Sequence, residues 1–496
     1  MRKFALVALL AVAACSSDGP SGPGTPDPLV IPAVEREFRG MWIATVANID
    51  WPSTAGLSAA AQQAEMNTLL DAAQNAGLNA VILQVRAAGD ALYNSSLEPW
   101  AKSLTGTQGN NPGYDPLAYA VQAAHARGLE LHAWFNPFRA ANLSDTLNLA
   151  ANHFAKVRPD VTRRFCTQLW FDPAEDAVQD HAIAVMKDVV ARYNIDAVHI
   201  DDFFYPYPTS TCPGLDFPDS AGYAAFVAGG GNLGKAEWRR ANVNRFVQRL
   251  YNEVHATNNA VRVGVSPFGI WRPGSPSGIV GLDAYASIYA DSRLWLQQGW
   301  VDYFAPQLYW SIASTGQSFP ALLQWWGQQN TQRRHLWPGL ASYRINDGSV
   351  NPYAPSEIPN QVAMVRAQRG TPGYANGTIL YNGSSVRTNR GGFVSTLQSD
   401  LYRTRALPPA TTWLDASAPA TPVFTASESL GALNVVMTAN PDAYWWLVRW
   451  RAAGVWYQRL VPGTQTTVSI TTADVDGVVV NAVDRVGNLS SSAVQQ

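Results

Sequence analysis

Two aspartates stand side by side at the end of an apolar run: Asp201 and Asp202 in I-D-A-V-H-I-D-D-F-F-Y-P-Y-P, residues 195–208. Two carboxyls at the exit of a buried segment are costly unless something pairs or uses them. Their mutual repulsion raises the pKa of one, as a general acid working near neutral pH requires. Strand residues alternate sides. Asp201 is therefore expected to share a face with His199 and Asp202 to point the other way, so that only one enters a common site while the other pairs with a neighbouring Arg or Tyr. His132 and His199 lie inside apolar runs and read as hydrogen-bonded core histidines. Tight His, Cys, Asp or Glu spacing for a metal is missing, as is a glycine-rich phosphate loop, so no metal and no cofactor is expected.

The elements that must hold this pair form a regular series. Apolar, β-favouring runs at 38–46, 80–85, 129–135, 195–200, 261–265, 303–310, 336–343 and 378–382 are each followed by a helical pattern. Ser58 and Pro116 open two of those helices. Asp172 and Pro173 read as the N-cap and first position of another. The strands lack clear alternation, as expected where both faces are covered. Eight such units predict an α/β fold, a (β/α)8 TIM barrel over 35–410, whose chemistry sits at the strand exits. After Leu407-Pro408-Pro409 the character changes to short alternating runs at 433–437, 443–451, 455–460, 466–470 and 477–483. These predict a small all-β sandwich of immunoglobulin or fibronectin III-like type over 418–496, with Trp445, Trp446 and Trp450 as packing residues.

Composition fits a large two-domain chain: 496 residues, 47% hydrophobic and 15% charged. A formal net charge of -2 without basic runs speaks against a nucleic-acid partner. The 18 Trp, 19 Tyr and 17 Phe offer flat faces of the kind that pack against sugar rings. At the amino terminus, Arg2 and Lys3 precede an apolar stretch, and Val12-Ala13-Ala14-Cys15 resembles a bacterial lipobox. The expectation is a signal peptide over 1–15, lipidation at Cys15, a flexible tether over 16–34, and an exported protein lipid-anchored to the cell envelope. Ser16 in place of an acidic residue is compatible with an outer membrane. The two other cysteines, Cys166 and Cys212, are too few for a metal site and suggest one disulfide between loops.

Longer motifs carry a resemblance. The runs Q-V-R-A-A-G-D-A-L-Y-N-S-S-L-E-P-W from Gln84, A-H-A-R-G-L-E-L-H-A-W-F-N-P-F-R from Ala124, H-I-D-D-F-F-Y-P-Y-P from His199 and D-Y-F-A-P-Q-L-Y-W from Asp302 are similar to those of the glycosyl-hydrolase-like family numbered ten. So are G-Y-D-P-L from Gly113 and the opening R-G-M-W-I-A-T-V-A-N-I-D-W-P from Arg39. The resemblance spans 37–405. It implies a bacterial (β/α)8 glycoside hydrolase, often a lipoprotein, with some members acting on peptidoglycan strands stripped of their peptides.

Under that resemblance Asp201 and Asp202 are the catalytic candidates, either of them serving as the acid that glycosidic cleavage needs. A second, separate carboxylate is harder to find. The runs from 261 onward end in S-P-F-G, Q-L-Y-W, S-Y-R and Y-N, which leaves Asp90 and Glu98 in a loop and Asp347 farther on. Substrate assistance would remove the need: the sugar's own 2-acetamido group attacks, and an Asp orients it. Gln307 and Tyr309, on one face, suit that role. Arg86, Asp90, Asn136 and Asn382 are candidates to bond sugar hydroxyls, and Trp42, Trp310, Tyr343 and Tyr381 to stack. The expected substrate is an N-acetylhexosamine glycan, foremost peptidoglycan. Another extracellular polysaccharide, or a surface lipoprotein that binds glycan without cleaving it, are the alternatives.

Overall fold

The computed structural model describes residues 29–496; Cys15, the signal sequence and most of the tether lie outside the described residues. The apolar runs become parallel strands β1 (Phe38–Ile43), β2 (Ala80–Arg86), β3 (Glu130–Phe135), β4 (Ala197–Ile200), β5 (Arg262–Val265), β6 (Tyr303–Phe304), β7 in two pieces (His335–Leu336 and Gly339–Leu340) and β8 (Gly377–Leu380). The two pieces of β7 stand at the two ends of the sheet order, one against β6 and one against β8. Only Trp337 and Pro338 separate them. Proline has no N–H for the ladder, so the strand breaks there, yet the amides of Trp337 and Gly339 still donate to Phe304 and Pro306. β8 pairs with β1, and the ring closes into a (β/α)8 barrel.

Each strand sends alternate residues to two cores. Phe38, Trp42, Ile82, Trp134, Tyr303, Trp337 and Ile379 fill the barrel interior. The intervening residues, such as Met41, Val81, Leu131, Val198 and Val263, pack against the helices outside. Gly264 is small because Tyr303 needs its space: a Cβ there would lie 1.9 Å from the ring. The Tyr303 hydroxyl then bridges His199 Nδ1 (2.9 Å) and His132 Nδ1 (3.0 Å). Trp42 donates to His199 Nε2 at 3.1 Å. That fixes the His199 proton on Nδ1, so Tyr303 accepts from His199 and donates to His132, whose Nε2 donates to Glu130 at 3.1 Å. Burial holds both imidazoles below their ordinary pKa, and the chain is one of neutral, core histidines.

Ser58 caps the helix Ala59–Asn75, and Pro116 opens Pro116–His125. Asp172 is not the cap expected of it. The helix begins at Asp176 after Glu175, and Asp172 instead accepts the Ala174 amide and pairs with Arg163, both at 3.0 Å. Between β3 and that helix, Arg139–Asn142, Gln168–Phe171 and Thr162–Phe165 form a small antiparallel sheet. The Cys166–Cys212 disulfide ties this sheet to the loop after β4.

The last domain is a sandwich. Phe424–Ser429, Ala432–Met437 and Thr467–Thr471 make one antiparallel sheet; Val455–Pro462, Trp445–Ala452, Val475–Val483 and Ala493–Gln495 make the other. Trp446 and Trp450 sit in the core between them. Trp445 packs toward the barrel, its ring centroid 5.2 Å from that of His125. Trp413 donates to Asp302 at 2.8 Å and Arg485 to the Ile195 carbonyl at 2.5 Å. Those barrel residues precede β3, β6 and β4, so the sandwich covers the amino-terminal end of the barrel. The stretch 29–34 lies along the sandwich: Trp456 donates to Val30 and Arg449 to Pro32.

Candidate active site

At the opposite end, the strand exits surround a cavity of about 300 Å3 lined by both aspartates. β4 ends at Ile200, one residue before Asp201. The two-residue period therefore stops applying, and Asp202 turns into the cavity instead of away from it. The rest of the wall comes from Trp42 (β1), Trp134 (β3), Phe203 and Tyr207 after β4, Ser266 and Phe268 after β5, Gln307 and Tyr309 after β6, and Tyr381 after β8.

Asp201 is 5% exposed and Asp202 7%. Asp201 sits among nitrogen donors: Asn136 Nδ2 lies 2.7 Å from each of its oxygens, Trp134 Nε1 3.2 Å from Oδ2, and the Phe203 amide 3.3 Å from Oδ1. Asp202 takes the Tyr207 hydroxyl and a hydrogen bond from Gln307. Burial, and then the charge of Asp202, push Asp201 up to about 7 against the pull of Arg139 and Asn136. Burial also raises Asp202. Two carboxyls this close titrate as a unit, the charge of one raising the other.

Tyr207→Phe tests this coupling. The hydroxyl donates to Asp202 and stabilises its ionised form. Without it the Asp202 pKa rises further, so the alkaline limb of a pH–rate profile should move to higher pH. An unmoved limb would mean that Asp202 does not set it.

The structure gathers Asp201, Asp202, Trp42, Gln307, Tyr309 and Tyr381 from the sequence reading. Tyr343 stands just behind them, its ring 5.7 Å from Tyr381 and 6.3 Å from Tyr309. Trp310 contacts Phe268 edge-on at 5.6 Å. Neither is among the lining residues. Asn136 orients Asp201, its Oδ1 taking Gln84 Nε2 at 2.6 Å. Three residues expected to hold sugar are engaged elsewhere. Arg86 is buried, with Glu98 on Nε and Nη2 and the carbonyls of Asn136 and Pro137 on Nη1. Asp90 lies buried in the β2 loop, bonded to Gln108 and the Ala88 amide. Asn382 caps the helix Gly383–Arg387 by accepting the Ser385 amide. Glu98 is consumed by Arg86, and Asp201 and Asp202 are the only carboxylates among the lining residues. Trp134, Tyr207 and Ser266 were missed. Trp134 was recoverable, because it lies two residues from Asn136 on one strand face. The Ser266 hydroxyl is buried and has no hydrogen-bond partner among the described residues.

A family model described as Glycosyl hydrolase-like 10 matches residues 37–354. The glycosyl hydrolase YngK of Bacillus subtilis (strain 168) is 40% identical over 400 residues, 79% of this chain and 77% of that protein. The glycosyl hydrolase DigH of Escherichia coli (strain K12) is 34% identical over 375 residues, 70% of this chain and 84% of that protein. Among solved structures, the PgaB (BpsB) glycoside hydrolase domain of Bordetella bronchiseptica matches with a TM-score of 0.50 at 14% identity, over 76% of this chain and 100% of the domain. That last likeness concerns the fold.

Proposed function

The chain belongs to the glycosyl hydrolase-like 10 family, and from that premise we propose that its cavity hydrolyses glycosidic bonds of an N-acetylhexosamine glycan, with peptidoglycan strands as the substrate. The observation that carries this reading is the adjacent, buried Asp201–Asp202 pair inside an aromatic-walled cavity, where burial and the charge of Asp202 push Asp201 up to about 7.

Hydrogen bonding decides the division of labour. Nitrogen donors can only donate, so the three around Asp201 favour its carboxylate. Burial and the charge of Asp202 push Asp201 up, but the Tyr207 hydroxyl can rotate to donate or accept whereas the nitrogens around Asp201 cannot, so the proton that the two carboxyls share is assigned to Asp202. Asp202 then protonates the leaving glycosidic oxygen as the C1–O bond breaks. The acetamido oxygen of the same sugar attacks C1, while Asp201 accepts the acetamido N–H. Water next attacks C1, breaking the C1–O bond to the acetamido oxygen and passing a proton to Asp202, and the anomeric configuration is retained. Gln307 and Tyr309 border the space for the acetamido group. The lipobox-like run Val12-Ala13-Ala14-Cys15 supports a protein held at the cell envelope by a lipid on Cys15.

Purified protein incubated with peptide-free peptidoglycan strands should release shortened glycans, read by mass spectrometry. Equal turnover of de-N-acetylated strands would count against substrate assistance. Failure to cleave these strands or other glycans would overturn the hydrolase reading and favour a glycan-binding lipoprotein.

A further inference from the structure

Arg139 packs against Phe203, a lining residue of the same cavity, with its guanidinium in no ion pair among the described residues. It opens the strand Arg139–Asn142 just after β3, held there by pairing with Gln168–Phe171. Its guanidinium carbon lies 4.0 Å over the ring of Phe203, a lining residue. Phe203 is in turn backed by Trp170, at 6.4 Å between ring centroids. Stacking of this kind leaves the N–H groups pointing outward in the guanidinium plane. The Arg139 Nε is enclosed and has no partner. Among the described residues its terminal nitrogens make no hydrogen bond and no ion pair.

Four other buried arginines of the barrel each have an acidic partner, which Arg139 lacks. Arg39 pairs with Glu37, Arg86 with Glu98, Arg239 with Asp219 and Arg262 with Glu130. A buried donor without a partner is costly, and the Arg139 Nε is one, kept within electrostatic reach of the two aspartates. Asp201, Asp202 and Tyr381 lie within electrostatic reach, but both aspartates are already bonded to other donors. A pure counter-charge role would need proximity alone and gives no reason for a fork of empty donors.

We propose that Arg139 is an anion-recognition residue, taking a carboxylate carried by the glycan on a sugar next to the bond that is cleaved. The substrate class is then an acidic glycan with free carboxylates. A carboxylate fits a guanidinium fork with two parallel hydrogen bonds. The proposal rests on the hydrolase reading of the cavity and adds to it which glycans are accepted.

The test uses the full chain, Arg139→Met and Arg139→Lys, with two substrates: peptide-free strands with free carboxylates, and the same strands with those carboxylates converted to methylamides. The wild type should favour the carboxylate form by about tenfold or more in kcat/KM, the scale expected when a charged hydrogen bond is lost. Arg139→Met should abolish that preference, mainly through KM, and Arg139→Lys should restore part of it. Thermal melts confirm that the variants are folded. Equal losses on both substrates, together with a shifted pH profile, would overturn the proposal in favour of a counter-charge to the aspartates. A wild type indifferent to amidation would overturn it as well. Should the wild type cleave neither substrate, it is the hydrolase reading that fails. Calorimetric binding of the two strand types to wild type and Arg139→Met then still decides the arginine's role, and equal affinities would refute it.

Discussion

Asp202→Asn is expected to slow glycan cleavage by about a thousandfold, within the range that general acids contribute, while leaving cleavage of a dinitrophenyl glycoside largely intact. The reason lies in the leaving group. An alkoxide leaving from C1 needs a proton in the transition state; a dinitrophenolate does not. Asp201→Asn should fail on both, since orienting the acetamido group matters whatever leaves. An Asn there would also set an NH2 against the Asn136 amide that now donates to both Asp201 oxygens. The reverse pattern would exchange the roles of the two residues.

The Asp202 variant carries a second signature, in stability. Burial raises the Asp202 pKa in the folded protein above its ordinary 3.8. The folded state therefore binds more protons than the unfolded state between those two values, and stability is lost as pH rises through that window. An Asn has no charge to bury. The variant should melt higher than wild type at pH 8, and the gap should close toward pH 4. A variant less stable at pH 8 would show that the ionised pair is not penalised.

The largest structural loss is expected from Glu98→Gln. Glu98 and Arg86 are each closed off from solvent, with Nε to Oε2 at 2.8 Å and Nη2 to Oε1 at 2.5 Å. His181 adds a third contact to Glu98 at 3.0 Å. Burial alone would push the Glu98 carboxyl up, but Arg86 and His181 hold it at about 2. Its stabilising contribution is therefore full above its ordinary 4.5 and is lost only as pH falls toward 2. Removing one charge of such a pair strands the other, at a cost of about 3–5 kcal/mol, measurable by denaturant unfolding at pH 7. Activity should fall as well, because Arg86 Nη1 grips the carbonyls of Asn136 and Pro137 at 2.5 and 3.2 Å, and Asn136 positions Asp201. A loss below 1 kcal/mol would mean that Arg86 is held by those carbonyls rather than by Glu98.

The barrel was legible because its strands are covered on both faces and read as unbroken apolar runs. Expectation failed where a local rule stopped short. Alternation could not carry past Ile200, so Asp202 was assigned the wrong side. Pro306 and Pro338 cut β6 and β7 well short of the predicted runs. The sandwich's outer strands Phe424–Ser429 and Ala493–Gln495 escaped notice, being largely exposed and weakly apolar. At the site, residue type alone could not tell a strand-end donor that faces the cavity from one that faces its own loop. The glutamate that occupies Arg86 lies twelve residues further on, and nothing in composition couples the two. Tyr207 is one aromatic among several in F-F-Y-P-Y-P, and only the fold selects it.

The sandwich covers the pole of the barrel opposite the cavity, and the incoming stretch 29–34 runs along that same sandwich. The molecule thus has a heading. An attachment upstream of Leu29 would therefore join the molecule at the rear, with the height of the barrel between it and the aspartates. A leash joined there would set how far the working end can roam. A fixed copy would graze polymers that arrive from outside and spare those lying flat against the surface on which it stands.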